Sequence, residues 1–310
     1  MISTARLLAA ASAGFAFVAS ASLHAQAVTP ALLEAREVPR ADTTVALRVA
    51  GRELMAELRV PAGPGPHPIA IIIHGGCWVT KFADARYMRP MAEAVRQAGI
   101  ATFNISYRRA DEVGGAWPGT FLDVAAAAAM VRELAPRYHL DLTRLVTTGH
   151  SAGAHLALWL AAQSKLPPTS AVRAASVPLP IKAVVALDGP GDLAGANVAI
   201  TSICGGPVLE QLLSSKPDEN VERWRDASPS SWLPLGVPQT MIRGGLDARV
   251  APLGSPTGTM THYARRATAA GDLVTVATAD TTSHFAMLDP QNPAFVVVLQ
   301  ALRSAVAPRR

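Results

Sequence analysis

The residues in this 310-residue chain best placed to do chemistry begin with Ser151, inside Gly149-His150-Ser151-Ala152-Gly153. A G-x-S-x-G pentapeptide alone arises by chance about 0.1 times in a chain of this length at average glycine and serine usage. Its surroundings carry more weight. The β-branched run Leu145-Val146-Thr147-Thr148 leads into it, and an alanine-rich helical pattern follows. Strand, sharp turn and helix are the setting in which a serine hydroxyl is presented on a strained turn, with small neighbours because a Cβ there would collide with the adjoining element. Ser151 is the candidate nucleophile.

A serine hydroxyl attacks well only when a base removes its proton. Of the eight histidines, His24 lies in the leader, His67 in a proline loop, and His74 and His150 precede backbone positions with other roles. His139 sits past a helix end, and His155 and His262 fall in helical patterns. His284 follows the last predicted strand in the loop Thr281-Thr282-Ser283-His284-Phe285, at the carboxyl edge where active sites of open α/β sheets collect. It is the candidate base. An acid must orient its imidazole and stabilise the protonated form. In the order serine, acid, histidine, Asp247 is placed best, following the strand Gln239–Arg243 through Gly244-Gly245-Leu246. Asp188, at the end of the preceding strand, is the runner-up, and Asp192 and Asp280 come after it. The developing oxyanion needs backbone donors. These fall to the N–H of Ala152 with one or both of Gly76 and Cys77, in His74-Gly75-Gly76-Cys77-Trp78 after the apolar run Ile69–Ile73. Trp78, Trp117, Trp232 and Phe285 flank these loops and are candidates for an apolar substrate wall, as is Phe82.

The elements that must hold these residues read as an alternation. Thr43–Val49 and Leu54–Val60 suit an antiparallel hairpin. Beyond residue 69, strands near 69–73, 100–106, 145–148, 181–187, 239–243 and 273–277 alternate with helical stretches near 83–98 and 120–138, directly after the Ser151 turn, and near 257–270 and 292–306. That pattern predicts an α/β domain with a mainly parallel central sheet and helices on both faces. The proline-, glycine- and serine-rich stretch 190–238 is too long for a simple connection and is expected to form a small cap over the site.

Composition closes off other classes. Residues 1–27 carry Arg6, an apolar run Leu7–Val18 and Ala25-Gln26-Ala27, the pattern of a cleaved secretory signal. The expected mature chain is one catalytic domain, residues 28–310, periplasmic or secreted, with no stable membrane insertion after cleavage. The net charge of +5 is scattered without a basic stripe, so no nucleic-acid partner is expected. Two cysteines, Cys77 and Cys204, could pair after export. Cysteines so far apart in sequence are, though, more often separate small apolar residues. No spacing suggests a metal, and no cofactor is expected.

HGGCW, GHSAG, the GGLD turn and the late SHF histidine, in that order, resemble the α/β-hydrolase superfamily, in particular its esterase and lipase branch with an HGG-x-W oxyanion loop. That branch also contains feruloyl-esterase-like and kynurenine-formamidase-like proteins. The resemblance spans about residues 43–306 and implies the α/β-hydrolase fold and a serine carboxylesterase acting on a small or medium ester. It departs at Cys77, where lipase-like members often carry a third glycine. The alternatives are an amidase or peptidase on the same scaffold, or a binding protein that keeps the fold without catalysis.

Overall fold

The computed structural model describes residues 27–49, 51–250, 259–280 and 283–308. The predicted leader therefore lies outside the described residues, apart from Ala27. Eight strands form one sheet: β1 (Thr43–Val49), β2 (Arg52–Arg59), β3 (His67–Ile73), β4 (Ala101–Ile105), β5 (Leu140–His150), β6 (Ala183–Leu187), β7 (Gln239–Arg243) and β8 (Val274–Thr278). Their order is β1-β2-β4-β3-β5-β6-β7-β8. The hairpin β1–β2 and the β2–β4 pair are antiparallel; β4, β3, β5, β6, β7 and β8 run parallel. This is the mainly parallel α/β sheet that the alternation predicts, in the α/β-hydrolase arrangement that the resemblance implies.

Strand β3 explains why the sheet is covered on both sides. Every residue from His67 to Ile73 is buried. Because side chains alternate across a strand, Ile69, Ile71 and Ile73 join one core while Ala70 and Ile72 join the other. A continuous apolar run is what two covered faces require. On the first face pack the helices Ala116–Ala129 and Ala152–Ala161, through residues such as Phe121, Val124, Leu156 and Trp159. On the second pack Arg89–Gln97 and Phe295–Val306, through Met91, Val95, Val298 and Leu302.

Two stretches differ from the sequence reading. The single helical run expected over 120–138 is two helices, Ala116–Ala129 and Val131–Tyr138, meeting at Met130. The Met130 N–H bonds back three residues to Ala127 O (3.2 Å), a tighter step than the α-helical one. The segment 190–238 carries three helices, Leu193–Cys204, Val208–Leu213 and Val221–Ala227, and a 3-10 turn at Pro229–Trp232. Their boundaries are set by Asp192 and Asn220, whose side chains accept from the N–H of Gly195 and Arg223, and by Gly205, left-handed at φ 72 after Cys204. Among the described residues, no helix is long and apolar enough to cross a membrane.

Candidate active site

Strand β5 ends at His150, and the helix Ala152–Ala161 begins two residues later. Ser151 takes the whole change of direction, with φ 57 and ψ −119. A side chain in that region is strained, and strain of this kind persists only where surrounding structure imposes it. The two glycines of the pentapeptide show what imposes it. A Cβ on Gly149 would overlap the Gly153 carbonyl oxygen, and one on Gly153 would overlap that of Ile73. The turn is clamped between its own helix and β3. The Ser151 N–H is tied to Leu187 O on β6 (2.8 Å), and Ala152, as the first helical residue, has no preceding turn to accept its N–H.

His284 sits after β8, and its Nδ1 lies 2.6 Å from Oδ2 of Asp188. This corrects the assignment of the acid: the place that the sequence reading gave to Asp247 belongs to its runner-up. The physical reason is the sheet register. Parallel pairing aligns His150 with Leu187, so the next residues on the two strands, Ser151 and Asp188, stand side by side at the carboxyl edge. Asp188 is completely buried and left-handed at φ 47. Its Oδ1 accepts from Gly244 N–H (2.8 Å), and its Oδ2 accepts from Leu246 N–H (2.7 Å) as well as facing the imidazole. Among the described residues, three donors converge on this carboxylate. The backbone of the Gly244-Gly245-Leu246 turn thus serves the acid rather than supplying it. Asp247 is in the short helix Gly245–Val250, and its side chain falls outside the described residues.

The loop after β3 contributes the other wall. Gly76 (φ 109), Cys77 (φ 52) and Trp78 (φ 57) are successive left-handed residues. Val79 N–H closes the turn on Gly76 O (3.0 Å), and Ala110 N–H holds Trp78 O (2.7 Å). Gly76, Cys77 and Trp78 line one cavity with Ser151, His284 and Phe285. Cys77 is disulfide-bonded to Cys204, with Cα atoms 6.1 Å apart. The pairing replaces the expectation of two separate apolar residues. Distance in sequence hides it: only β5 separates β3 from β6 in the sheet, so loops leaving their carboxyl ends meet.

A buried polar relay joins the two walls. Gly75 N–H donates to Tyr87 Oη (2.6 Å), Tyr87 Oη lies 3.0 Å from His150 Nδ1, and His150 Nε2 lies 2.7 Å from the carbonyl oxygen of His284. One proton arrangement satisfies the whole chain: Tyr87 O–H donates to Nδ1, and Nε2–H donates to the His284 carbonyl. Burial, and next the nearby His284, hold the His150 pKa well below its usual value, so it stays neutral. Burial likewise pushes the Tyr87 hydroxyl up. In the sequence, position beside Ser151 is the one signal His150 offers; Tyr87 offers none.

The cavity measures about 350 Å³, and its lining is mostly apolar, with Phe82, Ile200 and Ile203 among its residues. Two expected wall residues are elsewhere. Trp117 packs edge-on to Phe121 with the Arg223 guanidinium over its ring. Trp232 donates its indole N–H to Arg225 O (3.1 Å) at the surface. Neither lines the cavity, because each is engaged with these other partners. Among the described residues, no group of three or more histidine, cysteine or carboxylate side chains is arranged to hold a metal ion.

This fold, with a strained serine, a histidine and a buried aspartate at the carboxyl edge of one sheet, defines an α/β-hydrolase of the esterase and lipase branch. The chain belongs, more narrowly, to the BD-FAE family, whose model matches residues 58–256. It is similar to Esterase LipQ of Mycobacterium tuberculosis, 29% identical over 199 residues, which are 63% of this chain and 46% of LipQ. The chain thus spans about half the length of that relative. Among solved structures, it resembles a truncated form of a carbohydrate esterase from gut microbiota (TM-score 0.67, 21% identity, 86% of this chain and 97% of that one). It also resembles esterase 2 of Thermogutta terrifontis (TM-score 0.66, 19% identity, 88% and 98%), a protein also solved phosphoramylated by tabun. At these identities, the structural likenesses establish the fold.

Proposed function

We propose that the protein is an exported serine carboxylesterase that cleaves small or medium carboxylic esters through an acyl-enzyme on Ser151. The observation that carries this reading is the convergence of a left-handed Ser151 and a His284 bound by buried Asp188 on one apolar cavity. His284 takes the Ser151 proton at Nε2 as Oγ attacks the ester carbonyl. Asp188 accepts from Nδ1–H and stabilises the imidazolium, and the alkoxide leaves with the proton from Nε2. The N–H of Ala152, with those of Gly76 and Cys77, holds the oxyanion. Water activated by the same imidazole then releases the acid.

A cavity of about 350 Å³ is at the lower end of small-molecule sites, which supports a small or medium acyl or alcohol group. The segment 190–238 acts as the cap, since Ile200, Ile203 and Cys204 form part of the cavity wall. The leader pattern and the paired cysteines support export to a periplasm or the medium, where disulfides persist.

The test is hydrolysis of a p-nitrophenyl ester series, from acetate to long acyl chains, by the mature protein and by Ser151→Ala. The expected result is hydrolysis that favours short and medium chains and vanishes in the variant. A folded wild type inert towards the whole series overturns the reading. Stoichiometric labelling of Ser151 by a fluorophosphonate supplies a second readout.

A further inference from the structure

The disulfide bridge occupies an unusual place. Cys77 belongs to the loop to which the proposed oxyanion hole is assigned, while Cys204 is the last residue of the helix Leu193–Cys204 in the segment 190–238. Both line the cavity with Ser151. One covalent bond therefore joins the loop after β3 to the segment 190–238 within the cavity lining.

The loop needs such a restraint. Cys77 and Trp78 are consecutive side-chain-bearing residues at φ 52 and φ 57, a conformation that a free loop leaves readily. Trp78 is held by its buried ring and by Ala110 N–H on its carbonyl. Cys77 has the bridge. At its other end the helix is itself well anchored: Leu193, Ala196, Ala199 and Ile200 are buried in the core. Asp192 caps it and pairs with Arg266 (2.6 Å).

We infer that the Cys77–Cys204 bridge is a positioning device for the oxyanion hole, with Cys204 the positioning residue that fixes the Cys77 N–H, so that full hydrolytic activity belongs to the disulfide form alone. This rests on the esterase reading above. Opening the bridge consumes two electrons and two protons, which an added dithiol supplies as it closes to its own cyclic disulfide. Losing one oxyanion donor outright costs about 10²–10³ in kcat, and displacing it by around an ångström costs a part of that.

The experiment compares oxidised wild type, wild type opened by dithiothreitol, and Cys204→Ser at 25 °C, with free thiols counted and folding followed by near-UV circular dichroism. The expected result is a kcat about 10- to 100-fold lower in both open forms for acetate through octanoate esters, with KM within about threefold. Reoxidation restores wild type and leaves Cys204→Ser unchanged. A kcat within twofold of the oxidised enzyme, in a folded protein with its thiols counted as open, overturns the inference. So does a loss confined to KM, which would assign the bridge to the cavity wall, or a loss of tertiary structure in both open forms, which would make it a stabiliser only. Oxidised wild type that hydrolyses no ester overturns the esterase reading, and this one with it.

Discussion

Replacing Asp188 with asparagine separates the two acids that compete for the triad. The carboxylate is completely buried and, among the described residues, meets three donors: Gly244 N–H on Oδ1, and Leu246 N–H and His284 Nδ1 on Oδ2, at 2.8, 2.7 and 2.6 Å. An asparagine of the same shape has one oxygen and one NH2 group. With its oxygen in the Oδ2 position, it keeps Leu246 and the imidazole but turns its NH2 towards Gly244 N–H, donor against donor. With its oxygen in the Oδ1 position, it keeps Gly244 and directs NH2 at Nδ1. Leu246 N–H loses its acceptor in that case, yet the NH2 finds one, provided the imidazole proton has moved to Nε2. The second arrangement leaves fewer groups unpaired, so it wins. It is also the tautomer that cannot take a proton from Ser151.

The cost follows from that tautomer. The corresponding aspartate-to-asparagine change in the serine-protease triad, a known reference case, lowers kcat about 10⁴-fold. Asp188→Asn is therefore expected to lower kcat by about 10³–10⁴, or roughly 4–5.5 kcal/mol of barrier, with KM little changed. One unpaired buried N–H should also cost about 1–3 kcal/mol of stability. Asp247→Asn is the matched control, expected to stay within about threefold of wild type because the imidazole contact belongs to Asp188. The assay is steady-state hydrolysis of p-nitrophenyl butyrate, with thermal melts to establish that both variants are folded. Retention of more than a tenth of kcat by folded Asp188→Asn would refute the reasoning, as would a collapse in Asp247→Asn.

Two further outcomes can be checked on the same preparations. Tyr87→Phe removes the acceptor of Gly75 N–H and the partner of His150 Nδ1, both in the core; it should cost about 1–3 kcal/mol in denaturant unfolding and lower kcat severalfold as the loops loosen. A variant as stable and active as wild type would show the relay to be idle. Stability should also fall in acid. Burial holds His74 and His155 at a pKa of about 4 against an unfolded value of 6.5, so below about pH 6.5 the unfolded chain binds protons that the folded chain refuses. Their contribution is complete above pH 6.5 and is lost as the pH falls towards 4, amounting to about 2 kcal/mol each by pH 5. His150, lowered in the same direction, adds to this. Urea midpoints at pH 7.5 and 5 measure the difference, and equal midpoints would contradict the assignment of these imidazoles as neutral.

Which features were legible in the sequence depended on how local their causes are. The elbow is local: Gly149, Ser151 and Gly153 lie within five residues, and the clamp that needs them involves the adjoining strand and helix. The parallel sheet was legible because a strand buried on both faces, such as Ile69–Ile73, has no polar alternation to hide it. The acid, the disulfide and the Tyr87–His150 relay depend instead on which strand lies beside which. Asp247 had the better local setting, a turn after a strand. Asp188 has the contact, because β6 is the immediate neighbour of β5 and their register brings Asp188 level with Ser151.

The same register accounts for an oddity of the site, that the acid itself is left-handed at φ 47. A Cβ on the following residue, Gly189, would overlap the Ser151 carbonyl oxygen, so the chain leaving β6 passes hard against the elbow. Asp188 must turn within one residue to put its carboxylate under His284 and within reach of the Gly244–Leu246 amides. Strain at Ser151 and Asp188 therefore has one origin. β5 and β6 end at the same level, and their next residues are pressed into a space that only abrupt turns can share. Each turn is then held by something distant in sequence: Asp188 by the amides after β7, Cys77 by Cys204, and Ser151 by β3 and β6. A site built this way shows its serine in the sequence and keeps the groups around it hidden until the sheet is assembled.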